Sequence, residues 1–227
     1  MKKQILSSLA LIASVAATLN VSADGIDSVS GGIFELDPIL PDLSESGSLE
    51  SDDITFLMFE GTSMIGPGGL EVFTDVGSST TTFLAEGTLV NSYIFHFDPR
   101  DNGGSVVEFS GGSATFENNI LGLVASGSGL DATDYLGNAG TIYDTGVAQR
   151  NAGFGNEWDS FDSDFDYYSF SGDTFTIDSL TVKNTRIDQI RVLTAVPEPS
   201  TIAGIGIGVL ALGFLTYKRR KNATVEA

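Results

Sequence analysis

Short apolar runs, separated by turns rich in glycine, asparagine, aspartate and serine, follow one another through most of the chain. The runs are rich in β-branched and aromatic residues and lie at residues 54–59, 70–73, 80–84, 93–97, 106–109, 120–124, 174–177 and 187–192. Within the run that begins at Tyr93, aromatic residues occupy alternate positions, which is the period of a β-strand. No stretch of helical period and useful length occurs between residues 24 and 196. The pattern predicts a mainly β fold, a single antiparallel β-sandwich, with a jelly roll as the variant arrangement.

The N-terminus has the pattern of a secretory signal peptide. Lys2 and Lys3 precede an uncharged apolar run at residues 5–19, and residues 21–23 supply the small side chains of a signal peptidase site. As a helix, this run is roughly 22 Å long, which is short for a permanent membrane span. We therefore expect signal peptidase to remove residues 1–23, so that the mature chain begins at Asp24. An N-terminal anchor or a buried helix is the alternative.

The C-terminus combines a proline-rich motif, an apolar stretch and a basic cluster. The motif consists of Val196, Pro197, Glu198 and Pro199. The uncharged residues 202–217 follow, and the basic cluster after them consists of Lys218, Arg219, Arg220 and Lys221. As a helix, the apolar stretch spans roughly 24 Å, and snorkelling basic side chains extend it toward a hydrocarbon core of about 30 Å. By the positive-inside rule, the tail predicts one transmembrane helix with its N-terminal end outside and its C-terminal end in the cytoplasm.

This three-part tail resembles the PEP-CTERM sorting signal of Gram-negative and cyanobacterial envelope proteins. In that family an exosortase, a membrane-embedded relative of cysteine peptidases, is thought to recognise the motif and to release or transfer the protein. The resemblance implies exosortase as a partner, anchoring in the membrane by the C-terminal helix, and a final location in the cell envelope or outside the cell. An ordinary C-terminal membrane anchor is the alternative. Residues 88–194 also resemble a recurrent β-rich domain of these sorted proteins, which implies a β domain but no activity.

These features divide the chain into segments of different kinds. We predict a signal peptide at residues 1–23, an acidic arm or edge strand at 24–53, and the exported β-sandwich at 54–195. The sorting signal follows at 196–221, with its transmembrane helix at about 202–217, and a cytoplasmic tail occupies 222–227.

Charge and composition exclude several classes of function. The chain has 30 acidic and 11 basic residues, and 28 of the acidic but only five of the basic residues lie between residues 24 and 196. Such a surface attracts cations and repels anionic polymers, so we expect no nucleic-acid partner. The absence of cysteine excludes disulfides and thiolate metal sites, and the single histidine excludes a multi-histidine metal centre within one chain.

Candidate catalytic residues are few. His96 is the one side chain that titrates near neutral pH without perturbation, but it lies inside an apolar run, and the chain has no Gly-x-Ser-x-Gly nucleophile motif. We therefore interpret His96 as a structural residue and assign no catalytic residue. A carboxylate-dependent hydrolase of the glycosidase type is the alternative, since the many acids allow a pair at a suitable separation.

The densest acidic segment predicts a calcium site. Asp162, Asp164 and Asp166 occupy the first three ligand positions of a calcium-binding loop, and Asp173 stands at the twelfth. Tyr167 stands where such a loop has glycine, so a solvated acidic loop is the alternative. The nearby aromatic residues fit either a sugar-stacking surface or the core of the sandwich, and they are Trp158, Tyr167, Tyr168 and Phe170.

From the family resemblance we expect an exported surface protein without enzymatic activity, with a structural or binding role linked to extracellular polysaccharide or biofilm. Calcium is the one cofactor that the residues suggest. The expected partners are signal peptidase, exosortase, the membrane and extracellular polysaccharide.

Overall fold

A computed structural model describes residues 25–36, 42–44, 49–75, 80–100, 106–145, 150, 152, 158–159, 164–183 and 186–197. Within these residues the strands are β1 (Ile26–Gly31), β2 (Ile33–Leu36), β3 (Asp42–Leu43), β4 (Thr55–Met64), β5 (Leu70–Asp75), β6 (Thr80–Leu84), β7 (Leu89–Phe97), β8 (Val106–Phe116), β9 (Ile120–Val124), β10 (Ile142–Tyr143), β11 (Trp158–Asp159), β12 (Asp164–Phe165), β13 (Tyr167–Ser171), β14 (Thr174–Lys183) and β15 (Asp188–Ala195). One short helix, α1 (Gly127–Thr133), continues into a 3-10 turn at Asp134–Leu136. The predicted mainly β fold is confirmed.

Most of the strands belong to two sheets. A four-stranded sheet has the order β1-β8-β14-β13, and a seven-stranded sheet has the order β2-β4-β7-β15-β9-β5-β6. Nearly all the pairs are antiparallel, but β2 pairs with β4 in parallel, and so does β3 with β10. The predicted antiparallel pairing holds for most of the sandwich and is wrong for these two pairs. Each of these pairs includes one short strand, β2 or β3, from the segment before residue 54. Neither strand is joined to its partner by a hairpin turn.

The main core lies between the two sheets. It contains buried residues of the four-stranded sheet, such as Phe175, and of the seven-stranded sheet, such as Phe95. The ring centroids of these two residues are 4.7 Å apart, and those of Tyr93 and Phe116 are 4.5 Å apart. Such tilted aromatic pairs contribute about 0.5–1.5 kcal/mol beyond the burial of their area. The two sheets therefore pack face to face, as a sandwich requires.

The segment predicted as an arm or edge strand supplies one edge strand to each sheet. β1 pairs with β8 at an edge of the four-stranded sheet, and β2 pairs with β4 at an edge of the seven-stranded sheet. The chain passes from one sheet to the other at Gly31 and Gly32. Gly31 has a φ of +69°, and a Cβ atom there would collide with the backbone of Gly111. This crossing therefore requires glycine.

The outer face of the seven-stranded sheet is covered by α1 and the 3-10 turn. Leu130 and Leu136 pack there with Val90 and Leu193, in a second buried cluster. The hydroxyl of Ser126 caps α1 by accepting a hydrogen bond from the Gly129 amide at 3.2 Å. The helix has only seven residues and contains two glycines, so its sequence shows no helical period. Contacts with the sheet, rather than local preference, hold it in place.

Candidate functional site

The described residues bring together a buried polar network on the outer side of the seven-stranded sheet. Arg191 on β15 donates from Nε to Glu60 Oε2 at 2.7 Å and from Nη2 to Glu60 Oε1 at 2.9 Å. Ser92 and Tyr143 also donate to this carboxylate, at 2.6 and 2.5 Å. Each oxygen of the Glu60 carboxylate thus accepts two hydrogen bonds, which favour its charged form.

Asp134, in the 3-10 turn, joins a second buried arginine to this pair. Its carboxylate accepts from Arg150 at 2.7 and 3.0 Å, and from Arg191 Nη2 at 3.1 Å. Arg150 also donates to the backbone oxygen of Asp144 and to Gln189 Oε1. Both guanidinium groups lie over the ring of Tyr143, at 5.2 and 5.5 Å from its centroid. The network thus connects the 3-10 turn after α1, through Asp134, to the central strand β15.

The charges of the network stabilise one another's ionised forms. Burial alone raises the pKa of Glu60, but the charge and hydrogen bonds of Arg191 outweigh it and hold this pKa below its usual value. Burial alone lowers the pKa of Arg191, but Glu60 outweighs it and raises this pKa. Burial, together with the negative charge of Glu60, raises the pKa of Tyr143. Arg191 and Glu60 are therefore charged, and Tyr143 is neutral, at neutral pH.

His96 lies at the edge of the same network and is buried. The Nε2 group of Gln189 donates to His96 Nδ1 at 2.9 Å, and Asp98 Oδ2 lies 3.8 Å from His96 Nε2. Because Gln189 Oε1 is held by Arg150, the orientation of the amide selects the histidine tautomer that carries its proton on Nε2. Burial, and then the charge of Arg150, lowers the pKa of His96 to about 3. His96 is therefore buried and neutral at neutral pH.

Two cavities among the described residues differ in size and lining. The cavity beside Glu60 and Tyr143 has a volume of about 10 Å³, which is room for about one water molecule. A wider cleft of about 270 Å³ is lined by Gly66, Pro67, Gly69, Leu70, Ala132 and Tyr135, without a carboxylate. The carboxylates of Glu60 and Asp134 both form ion pairs with Arg191.

The four aspartates predicted to bind calcium are only partly described. Asp162 lies outside the described residues, and only the backbone of Asp164 is described. Asp166 is buried, and its Oδ1 accepts from the amide of Thr181 at 2.8 Å. Asp173 is exposed in the turn before Thr174, at the other end of β14.

Asp166 and Asp173 are not brought together. Thr174 and Thr181 are seven residues apart on β14, which is about 23 Å at about 3.3 Å per residue. One ion therefore does not bridge these two carboxylates. Among the side chains that the structure describes, no group of three or more acidic or histidine residues is placed to hold a metal ion. Calcium binding stays a prediction, for the part of the acidic segment that is not described.

The aromatic residues near the acidic segment do not form one surface. Tyr168 is buried in the core, where its ring lies 5.8 Å from that of Phe175, and Phe170 packs against the same core. Tyr167 points to the other side of β13 and is exposed. The side chain of Trp158 lies outside the described part of the chain. For Tyr168 and Phe170, the core interpretation is the one that the structure shows.

The predicted sorting signal begins where the central strand of the seven-stranded sheet ends. β15 pairs with β7 and β9, and it is buried from Asp188 to Thr194. Its last residue, Ala195, donates from its amide to the carbonyl of Asn119 at 3.0 Å. Val196 and Pro197 follow directly, so no linker separates the folded body from the motif. The other predicted signal residues lie outside the described part: Glu198, Pro199, Lys218, Arg219, Arg220 and Lys221.

Among the described residues, no helix has the length and apolar character needed to cross a membrane. The stretch predicted as a transmembrane helix, residues 202–217, is not among them, and neither is the predicted signal peptide.

Sequence reasoning did not find the buried network. Composition alone places Arg150 and Arg191 only among the five basic residues between residues 24 and 196. A usable signal is present for Arg191, since Ile190 precedes it and Val192 and Leu193 follow it. A charge in a strand that is buried on both faces requires a buried partner. For Glu60 and Asp134 the sequence offers no comparable signal.

Comparison with known proteins identifies the tail. The family model for the PEP-CTERM protein-sorting motif matches residues 195–220, which include the proline-rich motif, the apolar stretch and most of the basic cluster. No curated protein and no solved structure matches the chain. The motif supports an exported protein that is anchored in the membrane through its C-terminus and processed by exosortase. The chain is accordingly a PEP-CTERM sorting domain-containing protein.

Proposed function

We propose that the protein is a non-enzymatic surface protein, linked to extracellular polysaccharide or biofilm, that exosortase sorts as a folded body. Signal peptidase removes residues 1–23, and residues 202–217 span the membrane with the basic cluster in the cytoplasm. The body remains in the cell envelope or outside the cell after processing. This assignment rests on the tail, and the polysaccharide link is inherited from the family resemblance.

One observation carries the proposal: β15 runs from the middle of a sheet directly into the sorting motif. The strand is held on both sides up to Ala195, so the sorting motif starts where the fixed backbone ends. Only residues 196–201 lie between this point and the apolar stretch, and their extended length is at most about 20 Å. Exosortase therefore acts on the motif while the folded body lies close to the membrane.

The absence of catalysis is part of the proposal. His96 is buried and neutral, and the carboxylates of Glu60 and Asp134 are neutralised by arginine. These observations support a structural or binding role. No specific observation favours the hydrolase, because the described cavities do not combine open space with a pair of free acids.

The test is the fate of the tail in cells. Cells that produce the full chain are fractionated, and the protein is detected with antibodies raised against it. The unaltered protein should be found in the envelope or medium in a form that has lost about 30 residues at its C-terminus.

The triple variant Pro197→Ala, Glu198→Ala, Pro199→Ala should accumulate unprocessed in the membrane. The matched control is Pro67→Ala, at an exposed proline in a turn outside the motif. Unchanged processing of the triple variant, or a protein that stays in the cytoplasm, contradicts the proposal.

A further inference from the structure

The outward face of the four-stranded sheet carries a regular array of hydroxyl groups. Each strand has two serine or threonine residues at alternate positions, and the residue between them packs into the core or against it. These central residues are Val29 on β1, Ala114 on β8, Phe175 on β14 and Phe170 on β13. Because side chains alternate across a strand, the flanking hydroxyls point to solvent.

Strand register aligns the hydroxyls in two rows that cross the whole sheet. The first row is Ser30, Ser113, Thr176 and Ser169, and the second row is Ser28, Thr115, Thr174 and Ser171. Every neighbour within a row is a direct partner in the strand register. We call these eight residues the hydroxyl grid. With about 4.8 Å between strands and about 6.8 Å between alternate residues, the grid covers roughly 14 Å by 7 Å.

The hydroxyls of the grid are accessible and partly oriented. Those on the edge strands β1 and β13 belong to exposed residues, and those on β8 and β14 belong to half-buried residues. Ser30 and Ser113 bond to each other through their hydroxyls at 2.8 Å, and Thr115 and Thr174 do so at 3.2 Å. A hydroxyl donates once and accepts twice, so the first pair retains a donor as well as acceptor capacity toward a ligand. Thr174 also donates to Asp173 at 3.1 Å, so the second pair retains acceptor capacity only.

The charge pattern restricts what can lie on the grid. None of its eight residues is charged, although the chain has a net charge of −19. Edge strands usually carry charged side chains that prevent pairing, but on this face β1 and β13 carry serine. Carboxylates flank the grid: Asp27 is exposed at the register irregularity before Ser28, Asp173 accepts from the Thr174 hydroxyl at 3.1 Å, and Asp178 is exposed two residues after Thr176. These acids repel an anionic polymer and accept hydrogen bonds from a neutral, hydroxyl-bearing one.

The shape of the face indicates an extended ligand. Sites for small molecules are concave and mostly apolar, whereas the grid lies on an open sheet and is polar. Its underside is held by the core, where Phe175 packs against Phe95 of the opposite sheet. A rigid flat array of hydroxyls, spaced at intervals comparable with one sugar unit, matches a polymer that presents hydroxyls at a regular interval.

We propose that the hydroxyl grid binds an extended, uncharged polysaccharide. This inference deepens the proposed link to extracellular polysaccharide and rests on the export of the protein. Binding consists of hydrogen bonds between grid hydroxyls, flanking carboxylates and sugar hydroxyls, and it requires neither a metal ion nor a covalent step.

The experiment measures binding of the full chain, purified in detergent, to microcrystalline cellulose as the neutral probe. Alginate beads, without and with calcium, serve as the anionic probe. The test variant is Ser113→Ala, Thr176→Val, which removes two hydroxyls from the central strands. Valine is favoured in exposed strand positions, so the variant should fold. The matched control is Thr82→Val, at an exposed threonine on β6 of the other sheet.

The unaltered chain and the control should bind cellulose equally, and the test variant should bind about tenfold more weakly, because two hydrogen bonds are lost. Thermal unfolding of all three proteins shows whether each is folded. A second variant, Ser30→Lys with Ser169→Lys, places long side chains on the two edge strands of the grid and should also reduce binding.

Absence of cellulose binding by the folded chain overturns the proposal, and so does equal binding by the test variant and the control. Binding to alginate alone, with or without calcium, also overturns it. Inhibition of ice recrystallisation without cellulose binding identifies ordered water as the occupant and overturns it as well. These results do not depend on tail processing, so they are distinguishable from failure of the sorting proposal.

Discussion

Arg191 and Glu60 form a bidentate ion pair across an intervening strand, with N–O distances of 2.7 and 2.9 Å. Both side chains are buried. Arg191 lies on β15 and Glu60 on β4, and β7 runs between them. Ser92 of β7 donates to the same carboxylate. The pair thus connects three strands through side chains as well as through the backbone ladder.

Removal of the arginine should destabilise the protein strongly. Arg191→Met leaves the buried carboxylate of Glu60 and the half-buried carboxylate of Asp134 without this cation. Breaking a buried pair in this way costs about 3–5 kcal/mol. Arg191→Lys should also be costly, because one ammonium group does not reproduce the planar fork that contacts both carboxylates. The measurement is urea unfolding of the full chain in detergent.

The control for this prediction is Arg100→Met, at an exposed arginine, which should change the free energy of unfolding by no more than about 0.5 kcal/mol. A loss for Arg191→Met that is as small as that of the control contradicts the role of the network.

Acid should weaken the fold through His96. Its pKa is 6.5 in the unfolded chain and about 3 in the folded protein, so between these values the unfolded chain binds a proton that the folded chain does not. The free energy of unfolding therefore falls as the pH falls from about 6.5, by about 1.4 kcal/mol per pH unit from this group. The measurement compares urea unfolding at pH 7, 6 and 5 for the unaltered protein and for His96→Gln.

His96→Gln is less stable at pH 7, but its pH slope between 6.5 and 5 should be shallower by about 1.4 kcal/mol per unit. Carboxylates titrate in both proteins, so the difference between the two slopes isolates the histidine. Identical slopes would show that His96 does not titrate as a buried group.

Truncation of Phe175 should open a cavity between the two sheets. Its ring contacts Phe95 of the opposite sheet and Tyr168 of the neighbouring strand. Phe175→Ala should therefore cost about 3–5 kcal/mol. The control is Phe83→Ala, since Phe83 is 63% exposed and loses little packing on truncation. Equal melting temperatures of the two variants would contradict a common core between the sheets.

Calcium should raise the melting temperature more than sodium at matched ionic strength, if the acidic segment binds it as predicted. A ligand that binds only the folded form stabilises by about 2.7 kcal/mol at a hundredfold excess over its Kd. The experiment compares EDTA, NaCl and millimolar CaCl2 for the full chain and for Asp164→Ala, in which the calcium effect should be lost.

Asp173→Asn is the matched control for that experiment. Asp173 lies at the far end of β14 from Asp166, so its substitution should leave the calcium effect intact. Equal effects of the two salts show screening alone. That result, or an unaltered response of Asp164→Ala, ends the calcium hypothesis.

Local pattern was sufficient for several features of this protein. Each predicted apolar run lies within a strand or overlaps one, for example residues 93–97 within β7, because β-branched and aromatic alternation is encoded by neighbouring residues. The sorting tail was recognised from contiguous residues, and the family model matches the same segment. Such features require no knowledge of which distant segments meet.

Pairing and burial of distant residues were decided only by the tertiary structure. Glu60 and Arg191 are 131 positions apart, and Asp134 and Arg150 join them from a covering segment whose helix has no periodic signature. The hydroxyl grid likewise depends on the register of four strands, from Ser28 on β1 to Thr176 on β14. The amino-acid sequence by itself determined the strands, the acidic character and the C-terminal sorting motif, because these are properties of local segments. The tertiary structure decided which charges are buried together and which hydroxyls align, because those depend on the pairing of residues far apart in the chain.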